Sequence, residues 1–147
     1  MKPFIIILIC INFSCNTVQK TLNTSSQKEA IIYYSKSPCH GKCPVYDLWI
    51  YNDGSISYSG ISNVPVVKNI NRKLDNREIK TLKNILDEDP HQDVIFKKRL
   101  DRSITTLRFN NKEYKYYNSS DNDYIKKLDK KLKSIVERII SNVENDT

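Results

Sequence analysis

Hydrophobic and polar residues alternate with a period of two through the first half of the chain, which is the spacing of half-buried β-strands. Residues 31–34 predict a first strand. Residues 45–51 and 55–59, joined by an Asn-Asp-Gly turn at 52–54, predict a β-hairpin whose glycine is left-handed. The pairs expected to face each other in the core are Ile50 with Ile56, Leu48 with Tyr58 and Tyr46 with Gly60.

The other face of this hairpin has a different composition. It carries Asp47, Trp49 and Tyr51 opposite serines. Such a face is either covered by the edge of a helix or used as a surface. Residues 66–70 predict one further strand beside the hairpin.

The period changes to that of a helix after residue 74. Asp75 and Glu78 form a capping-box pattern, and apolar positions follow at helical spacing: Ile79, Leu82, Ile85 and Leu86. A second hairpin is predicted at 104–109 and 113–117, with Leu107 opposite Tyr114 and Arg108 opposite Glu113. Asp121 or Asp123 is expected to cap a long last helix. Its apolar stripe is Ile125, Leu128, Leu132, Ile135, Val136, Ile139, Ile140 and Val143.

The predicted elements follow one another as strands, helix, hairpin and long C-terminal helix. This order indicates an α+β fold. Its antiparallel sheet should carry both helices on one face. Residues 30–147 are enough for a single domain with its own core, but not for two domains.

The N-terminus predicts export. Residues 1–14 have one early positive charge and a short apolar run that is too short to span a bilayer, as in a signal peptide. Ser14-Cys15 resembles the lipobox of bacterial lipoprotein precursors, which implies cleavage before Cys15 and acylation of that residue. Residues 15–29 are polar without hydrophobic periodicity, as expected of a flexible tether.

These features predict a lipid-anchored protein of the bacterial cell envelope, in the periplasm or at the outer membrane. The membrane is then the first partner, through acylated Cys15. The net charge of +7 would suggest nucleic acid in a cytoplasmic protein. No nucleic-acid partner is expected for an exported chain.

A short cysteine motif precedes the first hairpin. The matching residues are Cys39, Gly41, Cys43, Pro44 and Tyr46, and then Asp53, Gly54, Tyr58 and Gly60. This pattern, C-x-G-x-C-P-x-Y followed by an Asp-Gly hairpin, resembles a family of bacterial lipoprotein domains of unknown function over roughly residues 31–143. The resemblance implies no activity.

Two interpretations of Cys39 and Cys43 stay open. A disulfide is favoured, because thiols outside the cytoplasm oxidise and Gly41 relieves the backbone of so short a loop. The alternative is a copper or zinc site in which the two thiolates are joined by His40 or His91, the only imidazoles of the chain.

Other patterns are weaker. Asp87, Asp89 and Asp93 resemble part of a calcium loop, but its glycine and closing glutamate are missing. A row of lysines on the last helix is either a solvated face or a surface for anionic lipid or polysaccharide: Lys126, Lys127, Lys130, Lys131 and Lys133.

Three functions follow from these patterns. The favoured one is a non-enzymatic envelope module that binds a protein or glycan around Trp49 and Tyr51. The second is a metal or thiol-redox accessory protein that uses Cys39 and Cys43. The third, less favoured, is an enzyme that uses the region of Asp101 and the acidic loop, since no catalytic motif is present.

Overall fold

A computed structural model describes residues 28–88, 96–97, 99, 101–118 and 120–145. The predicted signal peptide and Cys15 lie outside these residues, as does all of the predicted tether except Lys28 and Glu29. The elements in chain order are β1 (Ala30–Lys36), β2 (Val45–Tyr51), β3 (Ser55–Ser62), β4 (Asn69–Lys73), α1 (Asn76–Leu86), β5 (Ile104–Phe109), β6 (Lys112–Tyr117) and α2 (Asp123–Asn145).

The six strands form one antiparallel sheet in the order β4-β3-β2-β1-β5-β6. Strand β1 therefore lies between the two hairpins and joins them, pairing with β2 on one side and β5 on the other. Together with the two helices this is the predicted α+β fold.

The register of both hairpins is confirmed. Ile50 pairs with Ile56, Leu48 with Tyr58 and Tyr46 with Gly60 in the first, and Leu107 pairs with Tyr114 in the second. Gly54 closes the first turn at φ 77°, and an added Cβ there would overlap the Ile79 side chain. This glycine therefore serves both the turn and the close approach of α1.

The strand predicted at 66–70 is placed differently: β4 is Asn69–Lys73. Val66 is buried, but the chain before β4 passes too close to β3 for regular pairing. A Cβ on Gly60 would overlap the Val66 carbonyl oxygen, and the Gly60 amide donates to the Lys68 carbonyl instead. A close approach of the two backbones thus replaces the first part of the expected strand.

Both helices begin at side-chain caps. Asp75 and Glu78 form the predicted capping box of α1. The prediction of Asp121 or Asp123 as the cap of α2 is wrong, because the Oδ1 atom of Asn122 accepts from the Ile125 amide at 3.1 Å. An asparagine carbonyl serves this position as well as a carboxylate does.

The core lies between one sheet face and the two helices. Alternate strand residues such as Ile32, Leu48 and Leu107 are fully buried against the predicted apolar stripe of α2. Glu78 of α1 also accepts two hydrogen bonds from Arg138 of α2, both at 2.8 Å, so the helices contact each other as well as the sheet.

Among the described residues, neither helix combines the length and the apolar character that crossing a bilayer requires.

We predict that Leu132→Ala lowers the free energy of unfolding by about 3 to 5 kcal/mol, because Leu132 is fully buried in the middle of α2. Lys130→Ala, a change to an exposed residue of the same helix, should cost less than about 0.5 kcal/mol. Urea denaturation of both variants measures the difference. Equal shifts of the two midpoints would mean that α2 packs through another face.

Candidate functional site

The face of the sheet opposite the helices carries side chains from all six strands, and we call it the open face. The cross-strand pairs that run through its middle form one continuous row: Asn71, Ser57, Trp49, Tyr33, Arg108 and Glu113. A neighbouring row includes Asp47 and Lys115. Both described helices pack on the other side of the sheet, so neither covers this one.

Aromatic rings meet at the centre of the open face. The ring centroids of Tyr33 and Trp49 lie 5.5 Å apart, and the Arg108 guanidinium lies 5.0 Å from the Tyr33 centroid. The Tyr33 hydroxyl donates to Asp47 at 2.7 Å. Trp49 and Tyr51, the predicted binding residues, are each half-buried here. The serines that face Trp49 and Asp47 from β3 are small, so the rings are the bulkiest side chains of the middle of this face.

A pocket of about 890 Å³ opens at one end of this face, and we call it the end pocket. The start of β1, the β2–β3 turn and the β5–β6 turn surround it. Its lining comprises Lys28, Glu29, Ala30, Ile31, Tyr33, Asn52, Asp53, Arg108, Phe109, Asn110, Asn111, Lys112 and Glu113. Its volume is within the usual range of small-molecule sites.

Local turn chemistry positions the asparagines of the end pocket. Asn110 and Asn111 connect β5 to β6 with φ values of 48° and 59°, which asparagine tolerates better than most residues. The Asn110 side-chain amide donates to the carbonyl of Leu86, the last residue of α1. The turn is thereby fixed to the end of the helix behind the sheet.

Charged residues of the end pocket are paired with one another. Lys28 forms an ion pair with Asp53 and also donates to Ser55, while Arg108 donates to Glu113 at 2.5 Å. The hydrogen bond from Lys28 holds the pKa of Asp53 well below its usual range. Hydrogen bonds from Lys115 and then Arg108 lower the pKa of Glu113. Both carboxylates therefore stay ionised at neutral pH.

The sulfurs of Cys39 and Cys43 lie 1.93 Å apart, which is disulfide distance, with 5.8 Å between their Cα atoms. The loop between them joins β1 to β2, and the Asn63 side chain donates to the Cys43 carbonyl at 3.1 Å. Tyr46, just beyond it, is buried. The geometry is that of the favoured interpretation, and oxidation of these cysteines outside the cytoplasm stays a prediction.

Of the two histidines proposed as metal ligands, only His40 belongs to the described part of the chain. His40 is exposed within the cysteine loop, and His91 lies outside the described residues. In that same part of the chain no three potential metal ligands are grouped. While the disulfide stands, its sulfurs are not thiolates. The copper or zinc alternative stays a prediction for the reduced protein.

The remaining sequence candidates are the acidic residues after α1, Asp101 and the lysines of α2. Asp87 is exposed, Asp89 and Asp93 are outside the described residues, and Asp101 is exposed. Four lysines of the predicted basic row pair with carboxylates: Lys126 with Asp123, Lys127 with Glu88, Lys131 with Glu78 and Lys133 with Asp129. These pairs reduce the charge that the row can present to an anionic surface.

A buried carboxylate was missed by the sequence patterns. Asp129 of α2 is 3% exposed, and its Oδ1 atom accepts from the hydroxyls of Tyr34 and Tyr116, each at 2.8 Å. Lys133 reaches its Oδ2 atom at 2.6 Å, and the Lys36 ammonium lies 3.9 Å from Oδ1. Asp129 occupies a position on the apolar stripe of α2, and this was the one signal that could have revealed it.

Burial dominates the electrostatics of this cluster. It lowers the pKa of Lys36 to about 8, although the negative charge of Asp129 acts in the opposite direction. It also raises the pKa of Tyr34 and of Tyr116 far above the usual range, so both hydroxyls keep their protons and can donate. The cluster joins two strands to α2 and opens onto no described pocket.

We predict that Cys39→Ser lowers the free energy of unfolding by about 2 kcal/mol and leaves the domain folded, because the disulfide closes only a short loop. Intact-mass measurement of the protein isolated from cells, alkylated with and without prior reduction, tests the bond itself. Cys39 and Cys43 should take up label only after reduction. Alkylation of both thiols without reductant would rule the disulfide out.

We further predict that Lys36 contributes stability that increases as the pH rises from about 7 to 9.5. Because the pKa of Lys36 is lower in the folded protein, the unfolded chain binds more protons at this residue over that range. The free energy of unfolding therefore increases by about 2 kcal/mol through Lys36 alone. Lys36→Met should remove this rise, and Lys130→Met, at an exposed position, should keep it. Chemical denaturation at several pH values measures it. The same slope in both variants would contradict the low pKa of Lys36.

Comparison with known proteins gives a family for the chain but no activity. No curated protein and no solved structure matches it. A family model described as a domain of unknown function, DUF6438, matches residues 30–141. The match covers every strand, α1 and most of α2, together with the cysteine motif and both turns of the end pocket. The chain therefore belongs to the DUF6438 family.

Proposed function

We propose that this chain is an exported lipoprotein, anchored by acylated Cys15, whose domain binds a partner in the cell envelope through the open face. The observation that supports the binding role most directly is the position of Tyr33 and Trp49. Their rings are in contact on a sheet face that neither described helix covers. Aromatic side chains with a polar handle are typical of surfaces that bind partners.

The anchoring part of the proposal rests on sequence. Ser14-Cys15 closes a short apolar run, and polar residues follow. Residues 15 and 28 are 13 peptide steps apart, so Lys28 lies at most about 45 Å along the chain from the acylated residue. Since Lys28 lines the end pocket, that end of the open face would stay close to the membrane surface.

The polar part of the open face supports reversible binding rather than burial in a permanent interface. Asp47, Arg108, Glu113 and Lys115 are two acids and two bases, and each forms a hydrogen bond or ion pair with a neighbour on the same face. A partner could therefore dissociate without leaving an unpaired charge behind.

We expect Cys15→Ala to remove lipidation. Cells labelled with radioactive palmitate should yield labelled protein from the wild type and none from the variant, because the thiol is the acylation site. Cys39→Ala is the matched control and should retain the label. Equal incorporation by wild type and Cys15→Ala would exclude Cys15 as the anchor.

We expect a photo-crosslinking amino acid at position 49 to capture an envelope component in living cells, because Trp49 lies in the middle of the open face. The same amino acid at Lys80, which is exposed on α1, is the control. A product specific to position 49 is the expected result. Identical products from both positions, or none from position 49, would contradict binding through this face.

A further inference from the structure

The end pocket has a balanced set of charges in a chain whose net charge is +7. Three cations line it, Lys28, Arg108 and Lys112, against three carboxylates, Glu29, Asp53 and Glu113. Four of these six residues form two ion pairs, Lys28 with Asp53 and Arg108 with Glu113. The pocket therefore selects neither an anionic nor a cationic ligand by charge.

Its polar groups can nevertheless form many hydrogen bonds. The side chains of Asn52 and Asn111 each provide two N–H donors and one carbonyl acceptor. An ion-paired guanidinium or carboxylate keeps further donor or acceptor positions beyond its pair. A ligand hydroxyl both donates and accepts, so a ligand rich in hydroxyls can use both kinds of partner without breaking an ion pair.

We infer that the end pocket binds one sugar ring of an uncharged glycan, which deepens the proposed function and rests on it. The pocket volume of about 890 Å³ has room for a hexose with its water shell. Ile31 and Tyr33, whose ring lies under the Arg108 guanidinium, line the pocket and supply apolar surface for the C–H groups of the sugar. Trp49, whose ring centroid lies 5.5 Å from that of Tyr33, extends this surface along the open face toward the next sugar.

The two ion pairs also disfavour a charged lipid headgroup at these four residues. A phosphate bound at Lys28 or Arg108 would displace the carboxylate of that cation, and an ammonium group bound at Asp53 or Glu113 would displace the cation of that carboxylate. Each such exchange replaces a charge-assisted hydrogen bond within the protein by one to the ligand, so the number of these bonds does not increase. Sugar hydroxyls require no such exchange, so a glycan can bind while both ion pairs stay intact.

The test is an NMR titration of the full chain, purified from membranes in detergent, with the uncharged trimer of N-acetylglucosamine as the probe. The side-chain amide signals of Asn52 and Asn111 should shift, with saturation below about 10 mM. Tyr33→Ala should weaken binding about tenfold or more, and Asn52→Ala about fivefold. Asn84→Ala, an exposed asparagine of α1 on the other side of the sheet, is the matched control and should change affinity less than about twofold.

The outcomes separate this inference from the proposed function. Absence of any shift up to about 10 mM probe overturns the glycan site. The proposed function stands in that case if position 49 still gives its specific crosslink. Shifts confined to residues outside the pocket, or equal weakening by Asn52→Ala and Asn84→Ala, also overturn it. Binding of phosphatidylethanolamine vesicles without binding of the trimer would assign the pocket to a lipid instead. Since Asn52 lies in an exposed turn, its variant remains informative even if Tyr33→Ala fails to fold.

Discussion

One-sided burial is the constraint on which this structure depends. All of the hydrophobic contact between sheet and helices is made on a single face, and alternation along each strand sends every second side chain to the other. In the central strand β1, Tyr34 is fully buried beneath α2, whereas Tyr33, one residue earlier, lies on the open face. The core and the proposed binding surface are therefore two consequences of the same alternation. A shift of register by one residue would exchange them.

Within that core, Asp129 is the main departure from an apolar interface. An ionised carboxylate is costly to bury without partners. Here two tyrosine hydroxyls and Lys133 satisfy its oxygens, and Lys36 lies nearby. Because Tyr34 belongs to β1 and Tyr116 to β6, these hydrogen bonds join α2 to two strands of the sheet.

Most of the fold can be predicted from patterns among residues that are close in sequence. The hairpin registers, the capping box of Asp75 and the stripe of α2 depend on residues that are close in sequence, and all three were predicted. The pairing of β1 with β5 depends on segments about 70 residues apart and leaves no periodic signal. The end pocket has the same origin, since three distant segments meet there. The alternation of Trp49 with core residues predicts that it lies on the face away from the core. The position of Tyr33 beside Trp49 depends on the pairing of β1 with β2, which the sequence pattern does not show.

The central claim, that the face opposite the helices is free in the whole protein, is tested most directly by hydroxyl-radical footprinting of the full chain. The account predicts that Trp49 and Tyr33 react readily, while Tyr34 and Tyr58, which are fully buried on the helix side, are protected until the protein unfolds. Tyr33 and Tyr34 make a matched pair, with equal intrinsic reactivity and adjacent positions. Protection of Tyr33 and Trp49 to the same degree as Tyr34 would show that another part of the chain covers this face, and would contradict the account.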